Sequence, residues 1–163
     1  NTRSFAGIEG GLVENKIRQL LSTKHVDEII LSTNDEVCME VAQKFTLDSR
    51  LRIVARPDNL CLSSTNLQDL ICYVPTITDA DHILWGHVTT PLAGANEYDK
   101  GIELYLSKLH EGYDSLVGVT ELKNFLLNQC SEKSSGRDIG SLFECLCSRS
   151  GFPERRDRTK SLT

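Results

Sequence analysis

Leu12, Val13, Ile17, Leu20 and Leu21 recur at the three-and-four spacing of one helical face. Asp27-Glu28 then opens into Ile29-Ile30-Leu31, an apolar run too short for a helix and suited to a buried strand. Asn34 or Asp35 stands where a helix N-cap belongs, ahead of Val37, Val41 and Phe45 on one predicted face. Leu51 to Ala55 predicts a second buried strand, and Thr65 to Val74 a helix that Pro75 stops. His82 to His87 predicts a third strand and Ser115 to Thr120 a fourth. Between them Tyr98 to Leu109 predicts a helix with Tyr98, Ile102, Tyr105, Leu106 and Leu109 turned inward. Strands alternating with helices at this spacing need crossover connections, so the expected fold is α/β with a mostly parallel, doubly wound, Rossmann-like sheet. The segment Gly7-Ile8-Glu9-Gly10-Gly11 lacks the lysine and hydroxyl of a phosphate loop and follows no visible strand, so it reads as a turn.

The 163 residues suffice for one domain with a core. A net charge of -5 and the absence of a basic stripe argue against a nucleic-acid backbone as partner. No apolar run approaches the roughly 20 residues of a membrane-spanning helix. The six cysteines form no CxxC pair, and no histidine stands at zinc-ligand spacing from them. They read as reduced, structural thiols of a cytoplasmic protein, with Cys38 and Cys72 on apolar helix faces. Charge also divides the chain. Residues 1–128 carry 11 basic and 18 acidic side chains, whereas residues 129–163 carry 7 and 5, with seven serines and three of the cysteines. The expected organisation is an α/β domain over 1–128 and a divergent, weakly ordered tail over 129–163. A reading-frame change after Leu127-Asn128 would account for the altered composition, as would a divergent natural terminus.

Ligands of open α/β sheets bind beyond the carboxyl ends of the strands. That rule selects Ser32-Thr33-Asn34-Asp35, Arg56-Pro57-Asp58-Asn59 with Ser63-Ser64-Thr65-Asn66, Gly86-His87-Val88-Thr89-Thr90-Pro91, and Thr120-Glu121. Hydroxyls, carboxamides, one arginine and one histidine suit a polyhydroxylated or phosphorylated small molecule. Arg56 can fork onto a base or phosphate, or pair with Asp58 or Asp35. His87 reads as a packed histidine or a ligand contact, and Thr89 and Thr90 as caps of the turn or substrate contacts.

Asn1-Thr2-Arg3-Ser4-Phe5-Ala6-Gly7, Asp27 to Asp35, Arg56-Pro57-Asp58-Asn59-Leu60, His87 to Leu92 and Asp114 to Thr120 follow one another in an order and spacing that resemble the acylneuraminate cytidylyltransferase family. The resemblance covers about residues 1–128. It implies a sheet of the nucleotide-diphospho-sugar transferase type and transfer of CMP from CTP to a nonulosonic, sialic-acid-like sugar acid, with release of pyrophosphate. Carried over by position, it implies nucleotide contacts from Asn1, Arg56, Ser64 and Thr65, and sugar-acid contacts from His87, Thr89 and Thr90. It also implies Mg2+ as cofactor and a homodimeric full-length parent. It assigns no catalytic residue in this sequence, and its metal ligands have no counterpart here. The family's glycine- and lysine-rich loop would precede Asn1, and its metal-binding aspartates match nothing in 129–163, so a fragment with little or no turnover is the expectation. Two alternatives stand beside it: a sugar-nucleotide glycosyltransferase, whose metal pair would have to be Asp79-Ala80-Asp81, and a non-catalytic module binding nucleotide and sugar acid.

Overall fold

The computed structural model describes residues 2–121, 126–127, 133–134 and 139–148. Near its start Phe5 and Ile8 bridge each other across Ala6 at φ 49° and Gly7 at φ 82°. Positive φ at both central residues is what a tight type I′ turn requires, and glycine adopts it without steric cost. Helix α1 (Gly11–Leu21) follows, and its first turn is closed from within: the Glu14 carboxylate accepts the Gly10 N–H at 2.9 Å and the Arg18 guanidinium at 2.6 Å. Gly10 leaves no room for a side chain. A Cβ there would stand 2.6 Å from Glu14 Oε2 and 2.7 Å from Val41 Cγ1. Gly10→Ala is therefore expected to destabilise the fold by about 1–3 kcal/mol through overpacking, read as a lower urea midpoint at unchanged slope.

Strand β1 (Ile29–Thr33) is followed two residues on by Asp35, whose carboxylate caps helix α2 (Glu36–Gln43) by accepting Val37 N–H at 2.9 Å and Cys38 N–H at 3.3 Å. Strand β2 (Leu51–Ala55) then returns parallel to β1, with Ile29 opposite Leu51 and Thr33 opposite Ala55. A short 3-10 turn (Asp58–Leu60), helix α3 (Leu67–Tyr73, capped by Asn66) and a second 3-10 turn (Val74–Thr76) lead to β3 (His82–Trp85). The helix stops at Pro75 as expected. Helix α4 (Ala95–Leu109) and β4 (Ser115–Glu121) complete the pattern read from the sequence. Beyond Asn128 the described strands are β6 (Lys133–Ser134), paired with β5 (Leu126–Leu127), and β7 (Ile139–Ser148). β7 runs antiparallel between β3 and β4, so those two strands point the same way. The weakly ordered tail expected over 129–163 lies, apart from residues 133–134 and 139–148, outside the described residues.

Two apolar cores result. Val13 and Ile17 of α1 and Val41 and Ala42 of α2 bury against Ile29 and Leu51 of the parallel pair. Ile102 and Tyr105 of α4 bury against Leu146 of β7, and Val26 packs on both clusters. Two inward assignments are corrected. Val37 is 52% exposed, because the buried stripe of α2 centres on Cys38, Ala42 and Phe45, about a quarter turn away. Leu106 is 40% exposed, lying beside the stripe that Tyr98, Ile102 and Tyr105 set on α4. Cys72 is also exposed rather than on an apolar face, and with Cys38 and Cys61 it is a free thiol.

The starts of the strands are tied together. Glu28 and Arg52 bond each other at 2.9 Å, Arg52 donates to the Ile77 carbonyl at 2.5 Å, and Thr78 donates to Glu28 at 2.9 Å. Ile77 and Thr78 belong to the segment that leads into β3, so that segment is anchored beside the starts of β1 and β2.

Three carboxylates sit below their ordinary range. Arg18 holds Glu14 down, the Cys38 and Val37 amides hold Asp35 down, and Arg50 holds Asp48 down. A depressed carboxylate adds stability above its unfolded pKa, about 4 for these groups, and that stability is lost as pH falls through the lower folded value. The urea midpoint should fall below pH 4, and Glu14→Gln should flatten that acid limb.

Candidate functional site

The candidate site is assembled from the loops that follow β1, β2 and β3. Arg56, first residue after β2, is fixed at its backbone by an N–H bond to the Thr33 carbonyl at 3.0 Å. Its side chain is half-buried and pairs with neither Asp58 nor Asp35. The guanidinium instead crosses to β1, donating to the Ser32 carbonyl at 2.5 Å and lying 3.5 Å from Ser32 Oγ. The direction of that carbonyl explains the contact. Ile29 N–H and Thr33 C=O face β2, so in a parallel ladder the intervening Ser32 C=O faces away from it, where Arg56 supplies a donor. Asp58 meets Asn34 Nδ2 at 3.4 Å, joining the first and second loops.

Ser64 is exposed, and Thr65 closes its own loop by donating to the Asn59 carbonyl at 3.1 Å. Asn66 next to it is spent on the cap of α3, accepting Asp69 N–H at 3.0 Å. Asn1 lies outside the described residues.

The third loop is the more built of the three. His87 is exposed, its ring stacked on Trp85 with centroids 6.4 Å apart at 28°. Thr89 is exposed. Thr90 is half-buried and caps the turn, donating its hydroxyl to the His87 carbonyl at 2.8 Å. Beneath the loop lies a set of side chains that the sequence reading did not include. Asn15 and Gln19 donate to the Pro91 carbonyl at 3.1 and 2.7 Å. Lys16, only 4% exposed, donates to the Thr90 carbonyl at 3.0 Å, to Thr90 Oγ1 at 3.2 Å and to the Tyr98 hydroxyl. Its ammonium also stands 4.7 Å from the Tyr98 ring centroid. One signal was available: Lys16 falls on the same helical face as Val13, Ile17 and Leu20, where a lysine is out of place unless something receives it.

Among the described residues no three His, Cys, Asp or Glu side chains converge to hold a metal ion. Asp79 and Asp81 precede β3 and so lie at the side where the strands begin, away from the loops above. The loops after β2 and β3 offer a guanidinium, hydroxyls and an imidazole, with the Asp35 and Asp58 carboxylates in the first two loops, and such donors suit oxygen-rich, anionic or base-edge acceptors.

No family model matches the chain, and no curated protein shows significant sequence similarity to it. A solved structure matches it in fold. The 4-diphosphocytidyl-2C-methyl-D-erythritol synthase of Anaerococcus prevotii superposes with a TM-score of 0.62 at 15% identity, over 86% of this chain and 60% of that one. The fold shared with it is Rossmann-like α/β. In this chain it is built with an antiparallel β7 between β3 and β4 and a parallel β1–β2 pair. The chain spans 60% of the synthase chain. No helix among the described residues is long and apolar enough to cross a membrane.

Proposed function

We propose that the chain forms the nucleotide- and acceptor-binding part of a cytidylyltransferase that transfers CMP from CTP to a nonulosonic, sialic-acid-like sugar acid, releasing pyrophosphate. The observation that carries this reading is the position of Arg56. A fork-shaped donor stands at the carboxyl end of β2, on a fold shared with a synthase named for a diphosphocytidyl compound. The ordered sequence resemblance adds the acceptor, an acidic sugar. In this reading Arg56 turns from the Ser32 carbonyl to the cytosine edge, where carbonyl and ring nitrogen accept its paired N–H groups. Ser64 and Thr65 border the base, and Asn1 the ribose. His87 and Thr89 face the sugar acid, and Thr90 shapes the turn that presents them. The anomeric hydroxyl attacks the α-phosphorus of CTP, a new P–O bond forms, and the bond to pyrophosphate breaks. Bringing two anionic substrates together on a donor-lined rim is the chain's own contribution to that step. Magnesium, homodimerisation and a cytoplasmic setting belong to the same proposal.

Titration calorimetry with CTP, CMP, UTP and N-acetylneuraminic acid, alongside a pyrophosphate-release assay, tests it. Binding of CTP and CMP in preference to UTP, together with the sugar acid, is the expected result. Binding of UDP-sugars without cytidine nucleotides would replace it with the glycosyltransferase reading. Binding of cytidine nucleotide and sugar acid with no pyrophosphate from any longer form of the protein would leave a binding module.

A further inference from the structure

We infer that Lys16 is a positioning residue: by gripping the loop after β3 from below, helix α1 determines how the chain receives its second, acidic substrate. The inference rests on the proposed function for the identity of that substrate, and on geometry for everything else. Three side chains from two adjacent turns of one helix converge on two consecutive loop carbonyls. Asn15 and Gln19 take that of Pro91, and Lys16 takes that of Thr90. Lys16 reaches furthest, because its ammonium also meets Thr90 Oγ1 and the Tyr98 hydroxyl of α4. Three elements are thus joined at one nitrogen: α1, the loop and α4.

Packing alone does not call for a lysine there. Lys16 is 4% exposed and sits between Val13 and Ile17, both equally buried. A leucine or methionine would fill the space without the desolvation that a buried ammonium carries. What a lysine adds is direction, with its N–H groups aimed at fixed acceptors. Thr90, with its hydroxyl on the His87 carbonyl, passes that fixity along the turn, while the His87 and Thr89 side chains stay exposed above it. The nucleotide-side residues Arg56, Ser64 and Thr65 share none of these bonds. The two halves of the site are therefore supported separately, and the grip acts on one half.

The test is Lys16→Met, which keeps length and apolar volume and removes the ammonium. Two readouts are taken on the same protein: amide hydrogen exchange by residue, and affinities for CMP and N-acetylneuraminic acid by calorimetry. Exchange at Thr89, Thr90 and Leu92 should accelerate at least about tenfold while β1 and β2 keep their protection. Sugar-acid affinity should fall about tenfold or more, since small misplacement of contacting groups is costly, with CMP affinity held. Unchanged loop exchange would overturn the inference. So would parallel loss of both affinities with loosening of β1 and β2, since that marks a general structural role. If the unaltered chain binds no sugar acid, the proposed function fails, and the exchange arm alone decides whether Lys16 fixes the loop. Should Lys16→Met not fold, the Asn15→Ala/Gln19→Ala pair, which frees the Pro91 carbonyl, is held to the same readouts.

Discussion

Replacing Tyr105 with alanine is expected to destabilise the protein by about 3–5 kcal/mol, a large part of the ~5–15 kcal/mol that holds a domain of this size together. Tyr105 is 2% exposed and is the largest fully buried side chain in the described structure. With Ile102 it joins α4 to Leu146 of β7, so its removal opens a cavity at the seam between helix and sheet. Its hydroxyl meets His82 Nδ1 at 3.0 Å, and the two rings pack edge to face at 77°. Tyr105→Phe keeps the ring and should cost about 1 kcal/mol, because His82 is exposed and water can replace the lost partner. Urea denaturation at constant slope separates the two variants. A cost below about 1 kcal/mol for the alanine variant would show that α4 does not depend on this contact.

Arg56→Ala should remove most of the affinity for CTP, by about 10–100-fold, the value of charged hydrogen bonds worth about 1.5–3 kcal/mol. The melting temperature should stay near that of the unaltered chain. Arg56 is half-buried, and the Ser32 carbonyl it leaves lies on a strand edge that water can reach. Arg56→Lys keeps the charge but loses the planar fork, so it should bind CTP nearly as poorly. Calorimetry with CTP and CMP reads both variants. Undiminished binding by Arg56→Ala would remove the assignment on which the nucleotide half of the site rests.

Much of the architecture was legible because each element carries a local signal. Ile29-Ile30-Leu31 and Leu51 to Ala55 are short apolar runs between polar ends, and they form β1 and β2. Pro75 cannot donate to a helix ladder, and α3 ends ahead of it. Faces were legible less finely. Val37 and Leu106 fit a helical period but lie at the margin of their stripes, and only the position of the sheet shows which margin is outside. The place of β7 between β3 and β4 was not legible at all, since strand order follows from long-range pairing that no local pattern encodes. In the candidate site, Arg56, His87 and Thr89 stood out as polar residues at strand ends. What lies beneath them did not.

Up to residue 121 the amino-acid sequence by itself determined which segments are helix and strand, that they alternate, and that donors follow the strands. Periodicity, proline and capping act within a few residues and need no partner. The tertiary structure decided that Arg56 rests on the β1 edge rather than on a neighbouring carboxylate, and that Lys16 serves a loop 74 residues away. Those choices depend on which unpaired carbonyl happens to face which donor once the layers have packed, and that is a property of the assembled chain.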